Sequence, residues 1–227
     1  MPARPPFAVV ELFTSEGCSS CPPADRHLAD IEAAAARAHE NVFVLSYHVD
    51  YWDYLGWKDP FSDPRHSERQ QSYARQVGNG QLYTPQMVVN GREAFVGSER
   101  STASAAIQRA LKEPAAVAIT LHPSSNGGRL VVDYQVEGDT RNAVLNLSIT
   151  EAAREVAVLR GENAGHTLSH RGVVRAFVSR KLDGETRGSA SIDWPAGVEP
   201  ERVKLVAYAT DRHTLAVLGA AASPLGR

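Results

Sequence analysis

Cysteine and methionine are scarce in this chain, with two of each in 227 residues. Two cysteines cannot form the several bridges that hold a small secreted scaffold together. Both lie in one stretch, Cys18-Ser19-Ser20-Cys21, where local chemistry is the better reading. No apolar run approaches the roughly 20 residues of a membrane-spanning helix, so membrane insertion is not expected. Neither sign of charge dominates. The 24 Lys and Arg against 26 Asp and Glu leave a formal net charge of -2, which offers nucleic acid no electrostatic footprint. The opening Met1-Pro-Ala-Arg-Pro-Pro6 lacks a basic stretch followed by an apolar core, so no export leader is read in it and the chain as written is expected in the cytoplasm.

What is present divides at Glu113-Pro114. Before it, strand and helix patterns alternate: Phe7 to Phe13 is a short apolar run, and Pro22 to Ala38 is Ala-rich with Leu28, Ile31 and Ala35 at helical spacing. Asn41 to His48 reads as a second buried strand and Arg65 to Val77 as a second helix. Gln86 to Val96 carries Asn90-Gly91 between two short apolar runs, a strong hairpin signal. Ser98 to Lys112 closes the half as a helix, giving the order βαβαββα. After Pro114 there are seven short β-rich runs separated by Gly, Pro, Asn and Asp, which predict a sandwich-like all-β domain. The expected organisation is therefore an α/β domain over residues 1–113 and an all-β domain over 114–227.

Cys-x-x-Cys after a strand and at the opening of a helix has a physical logic. The unpaired amides and dipole of the helix start favour a thiolate at the first cysteine. Cys18 is then the nucleophile and Cys21, one turn further in, the resolving thiol. A zinc knuckle built on cysteines needs a second pair of them, and there is no third cysteine. Thr84-Pro85 immediately precedes the hairpin, the first-residue position at which a strand accepts proline.

These features together resemble the thioredoxin superfamily. The resemblance implies a thioredoxin-like fold for the first half, a cis bond before Pro85, and a Thr84 backbone able to pair with an extended substrate strand. A narrower likeness is carried by Val10 to Asp25, by Tyr47 to Pro60, and by Gly161-Glu-Asn-Ala-Gly165 with His170 and Val173-Val-Arg175. Those stretches are similar to a bacterial thioredoxin-like family, domain of unknown function 1223. That likeness implies a periplasmic or secreted habit and no defined substrate.

Asp50 to Trp57 packs four aromatics into eight residues after the second strand. Trp52, with Tyr47 on the strand before it, is a candidate substrate wall; packing of the loop is the other reading. His48 is a possible proton carrier or metal ligand, or a hydrogen-bonded structural histidine. Glu162, Asn163, His170 and Arg175 form a polar cluster that is either an exposed turn or a contact with the first half. The expected activity is a thiol-disulfide oxidoreductase acting on protein or small-molecule thiols and disulfides, with the two sulfurs and no separate cofactor. Two alternatives stand beside it: a module holding copper or another soft metal through Cys18, Cys21 and His48, and a non-catalytic interaction protein.

Overall fold

The computed structural model describes residues 4–78 and 80–226. Met1, Pro2 and Ala3, in which the lack of a leader is read, lie outside the described residues. The chain runs β1 (Ala8–Thr14), α1 (Pro22–Ala38), β2 (Val42–His48), α2 (Pro64–Gln76), β3 (Gln86–Val89), β4 (Glu93–Val96) and α3 (Arg100–Ala110). Seven strands follow: β5 (Ala118–Asn126), β6 (Arg129–Glu137), β7 (Ala143–Ala157), β8 (Thr167–Lys181), β9 (Arg187–Asp193), β10 (Val203–Asp211) and β11 (Val217–Pro224). Local chemistry sets the boundaries. Pro22 and Pro23 open α1, where a missing N–H costs nothing, and Asp63 caps α2 by accepting from the Arg65 amide. Asn90 and Gly91 both have positive φ, as a two-residue hairpin turn requires.

The expected α/β domain followed by a separate sandwich-like domain is not what forms. Strands of both halves build one eight-stranded sheet in the order β11-β10-β7-β8-β2-β1-β3-β4, while β5, β6 and β9 make a second, three-stranded sheet. The junction is a parallel contact of β8 with β2 at Ser46 and Val173. All seven expected strands exist, but hydrophobic alternation reports which face of a strand is buried, not which strand it pairs with. The composition change at Glu113-Pro114 marks where helices stop, and the sheet runs on past it.

Alternation along β1 places the layers. Ala8, Val10 and Leu12 face α1 and α3, packing with Leu28, Met87 and Ile107. Val9 and Phe13 face the other way, in a core that joins Tyr47 and Tyr73 to Val174, Val206 and Tyr208. The three-stranded sheet covers the remaining face of β7 and β10, through Leu145, Leu147, Ile149, Leu205 and Ala207.

A buried polar cluster ties the halves together within the second of these cores. Glu11, on β1, accepts from Arg69 Nε at 2.6 Å, from Tyr208 Oη at 3.2 Å and from Tyr73. Tyr208 also bonds Tyr47 at 2.7 Å. Removing one partner of a buried ion pair leaves the other charge uncompensated. Arg69→Ala is therefore expected to lower stability by about 3–5 kcal/mol. Single-tryptophan forms keeping Trp52 or Trp194 should give the same urea midpoint, since both halves share this core; separated midpoints would show independent units.

Candidate functional site

β1 ends at Thr14 and the chain turns through Ser15-Glu16-Gly17 into the cysteines. Cys18 N–H donates to Ser15 O at 3.2 Å and Cys21 N–H to Cys18 O at 3.1 Å, a tight turn that delivers Cys21 as the N-cap of α1. The two cysteines form a disulfide with Cα atoms 5.4 Å apart. Both are wholly buried, whereas Ser19 and Ser20 between them are exposed. Cys18, read as the nucleophile, is therefore closed to solvent, and the reason lies in what covers it.

One cover comes from the first half. The Thr84–Pro85 bond is cis. Thr84 Oγ1 donates to Cys18 Sγ at 3.3 Å and accepts from Trp52 Nε1 at 2.7 Å. Ser20 Oγ lies 3.3 Å from the same sulfur. Trp52 also rests on Gly17, where a Cβ would come 3.1 Å from the Trp52 Cβ. The aromatic insertion therefore lies against the disulfide loop.

The other cover comes from the second half. Beyond Glu151, β7 leaves β10 and pairs only with β8, from Ala153 opposite Arg171 to Ala157 opposite Thr167. A bulge at Ile149 and Thr150 bends this two-stranded arm, and β8 passes over α1. Gly172 (φ 59°) allows the crossing, because a Cβ there would lie 2.6 Å from Val44 O. At the tip, Asn163 Nδ2 donates to Glu16 O at 2.8 Å and to Cys18 O at 3.0 Å, and Glu162 accepts from Ser19 N–H at 3.0 Å. Glu162, Asn163 and His170 are thus contacts with the first half; Arg175 pairs with Glu151 and also lies over the Phe61 ring, 5.1 Å from its centroid.

Behind the disulfide lies a buried ionisable cluster. His48 Nδ1 is 2.7 Å from Asp59 Oδ2, and the His48 and His170 rings are 4.7 Å apart. His170 Nε2 is 3.4 Å from Glu16 Oε1 and its Nδ1 3.8 Å from Asp25 Oδ2. Burial disfavours the His170 cation, but the Asp25 and Glu16 carboxylates outweigh it and push its pKa up to about 10. Burial likewise opposes ionisation of Asp59, yet His48 holds that carboxyl below its ordinary value. Glu16 Oε2 accepts from Trp57 Nε1 at 2.7 Å.

Of the residues singled out from sequence, Cys18, Cys21, Trp52, Thr84 and Pro85 come together. Tyr47 does not join them: it is fully buried, with its hydroxyl on Tyr208 and Ser148, and presents nothing to a substrate. His48 is a structural partner of Asp59, and among the described residues no three His, Cys, Asp or Glu side chains converge as a metal site. Glu16, Asp25 and Asp59 were not singled out. The signal available was only an acidic residue two places before Cys18 and another in the first turn of α1.

Residues 9–210 match the family described as protein of unknown function (DUF1223). The chain belongs to that family. No curated protein matches it. Among solved structures, the X-ray crystal structure of protein AGR_C_4864 from Agrobacterium tumefaciens is similar at 26% identity, covering 99% of this chain and 96% of that one with a TM-score of 0.71. HBP35 of Porphyromonas gingivalis is similar at 16% identity, covering 99% of this chain and 77% of that one with a TM-score of 0.68, a likeness of fold.

His170 gives a pH test. Its pKa lies near 10 in the fold against 6.5 for the free side chain, so the folded chain holds the proton more tightly. That stabilisation is complete below pH 6.5 and is lost as pH rises toward 10. Urea midpoints measured from pH 6 to 10 should fall across this window, and His170→Gln should be less stable at pH 6 with a flatter profile.

Proposed function

We propose that this chain is a thiol-disulfide oxidoreductase of thioredoxin type, working through the Cys18–Cys21 couple on protein or small-molecule thiols and disulfides. The observation that carries the reading is the disulfide at the start of the 17-residue α1, with the Thr84 hydroxyl on Cys18 Sγ and cis-Pro85 beside it. A helix start favours negative charge, and a hydroxyl donor stabilises sulfur that takes up charge. Both effects act on Cys18. The βαβαββα order of the first 110 residues supports the same reading.

The exchange balances without another cofactor. A donor thiolate bonds to Cys18 Sγ, the Cys18–Cys21 bond breaks, and Cys21 leaves as a thiolate that takes a proton. The donor's second thiolate then attacks the donor sulfur bound to Cys18, releasing Cys18 as a thiolate. The donor ends as a disulfide and the chain as a dithiol. With a substrate disulfide the same steps run in reverse. The Thr84 backbone is the proposed docking point for an extended peptide substrate.

Two measurements test this. In the reduced protein Cys18 is expected to titrate below the ordinary thiol value of about 8.5, and Cys21 above Cys18; pH-dependent labelling of each single-cysteine form reads both. In glutathione redox buffers the couple should interconvert reversibly, and Cys18→Ser should abolish turnover of a peptide disulfide. A couple that never exchanges, or a Cys21 more acidic than Cys18, overturns the reading.

A further inference from the structure

We propose that the turn joining β7 to β8, residues 158–166, is a gate over the Cys18–Cys21 disulfide: Glu162 and Asn163 hold it shut, and they select for reactants able to displace it. The inference rests on the exchange reading for its purpose, but its geometry stands apart from it.

Neither sulfur has exposed surface, so no thiolate reaches the bond without a movement of the cover. The two covers are not held equally. Trp52 is tied to Thr84 and packed against the second core. The turn is tied to the body by Asn163 on two carbonyls, by Glu162 on one amide, and by the contact of Gly161 with Trp57, where a Cβ would lie 3.3 Å from the Trp57 Cβ. Leu159 is 74% exposed, and Arg160, Ala164, Gly165 and His166 are exposed as well. Few buried contacts and a small set of hydrogen bonds mark a segment that opens locally.

The turn keeps its own shape while it moves. Val158 N–H donates to His166 O at 2.9 Å and Gly165 N–H to Val158 O at 2.8 Å, closing the loop on itself. His170, buried between Glu16 and Asp25, pins the arm behind it. Opening is therefore confined to the tip.

Glu162 also links the gate to the oxidation state. Its carboxylate takes the Ser19 amide, next in the chain to Cys18. In the disulfide that sulfur is neutral and the contact is undisturbed. Once Cys18 becomes a thiolate, two negative charges compete for one turn and the Glu162 contact weakens. The oxidised couple is thereby kept shut and the reduced couple is let go. Glu16, whose carbonyl accepts from Asn163, has its own cation in His170.

The test uses the full chain and a small phosphine, tris(2-carboxyethyl)phosphine, which needs no catalysis by the protein. The phosphine bonds to one sulfur, the disulfide breaks, and water supplies the oxygen of the phosphine oxide as two thiols form. Thiol release is followed with time. Asn163→Ala, which removes two hydrogen bonds to buried carbonyls, is expected to accelerate reduction by about 10- to 100-fold, and Glu162→Ala by about 3- to 10-fold. Local opening exposes little surface, so the rate should barely change with sub-denaturing urea; a steep rise at the slope of global unfolding would overturn the gate and would also expose a variant that had merely lost stability. Rates unchanged in both variants overturn it too. Glu162→Gln keeps an acceptor and removes the charge, so it is expected to lower the Cys18 pKa of the reduced protein; an unchanged value overturns the link to oxidation state. Rapid opening in the variants together with no exchange in glutathione buffers would uphold the gate and remove the oxidoreductase reading.

Discussion

The parallel contact of β8 against β2 at Ser46 and Val173 governs the rest of this molecule. Without it the second half is a free-standing set of strands. With it, β7, β10 and β11 continue the sheet begun by β1 to β4, and Val174, Val206 and Tyr208 enter the same core as Phe13 and Tyr47. The contact also aims the chain. Because β8 meets β2 at one register point and not along its length, its first half departs over α1, and β7 follows as its only partner. The departure requires a glycine at 172, since a side chain would strike the Val44 carbonyl. A sheet junction thus places a turn from residue 158 onward over a disulfide at residues 18 and 21.

Charge buried in the joined molecule obeys the same constraint. Glu11 has its cation, Arg69, on α2 and further donors on α2 and β10. Glu16 and Asp25 have theirs, His170, on the arm of β8. An isolated buried carboxylate is costly, and a paired one is tolerated. In the second cluster the cation comes from the other half of the chain, so those charges cannot be satisfied until the halves meet. Such pairs contribute little net stability against apolar packing. Their use here is in specifying register: a shift of β8 by one residue would turn His170 to the opposite face of its strand.

Element identity was legible in the sequence because it is local. Helical spacing of Leu28, Ile31 and Ala35, the Asn90-Gly91 turn and the alternation in each later strand involve neighbours a few residues apart, and each element formed where the pattern lies. The cysteine pair was legible because its two residues lie in one turn, whereas the cis bond before Pro85 was legible only through the resemblance to the thioredoxin superfamily. Partnership was not legible. Nothing in Val173-Val174 says that β2, some 127 residues earlier in the chain, is its neighbour. The misplacement of Tyr47 follows from the same limit, since adjacent residues on a strand face opposite sides and its side belongs to the Tyr208 core. The cover over Cys18 was not legible, because a helix start argues for a reactive thiol and says nothing of a contact supplied from residue 163.

The span of the structural likenesses bears on which part of this architecture is shared. The similarity to the Agrobacterium tumefaciens protein covers 99% of this chain and 96% of that one, and HBP35 is matched over the same 99% of this chain. A likeness confined to the α/β elements would stop near residue 113, and a likeness of two loosely linked domains would not superpose as one body at TM-scores of 0.71 and 0.68. What recurs is the continuous arrangement of both halves. Fold does not carry function by itself, but it does carry geometry. In this chain the β7–β8 arm leaves the sheet over the helix that follows the first strand. Residues at its tip, Glu162 and Asn163, are the ones that touch the disulfide loop, and under the proposed gating they set access to whatever chemistry the start of that helix supports.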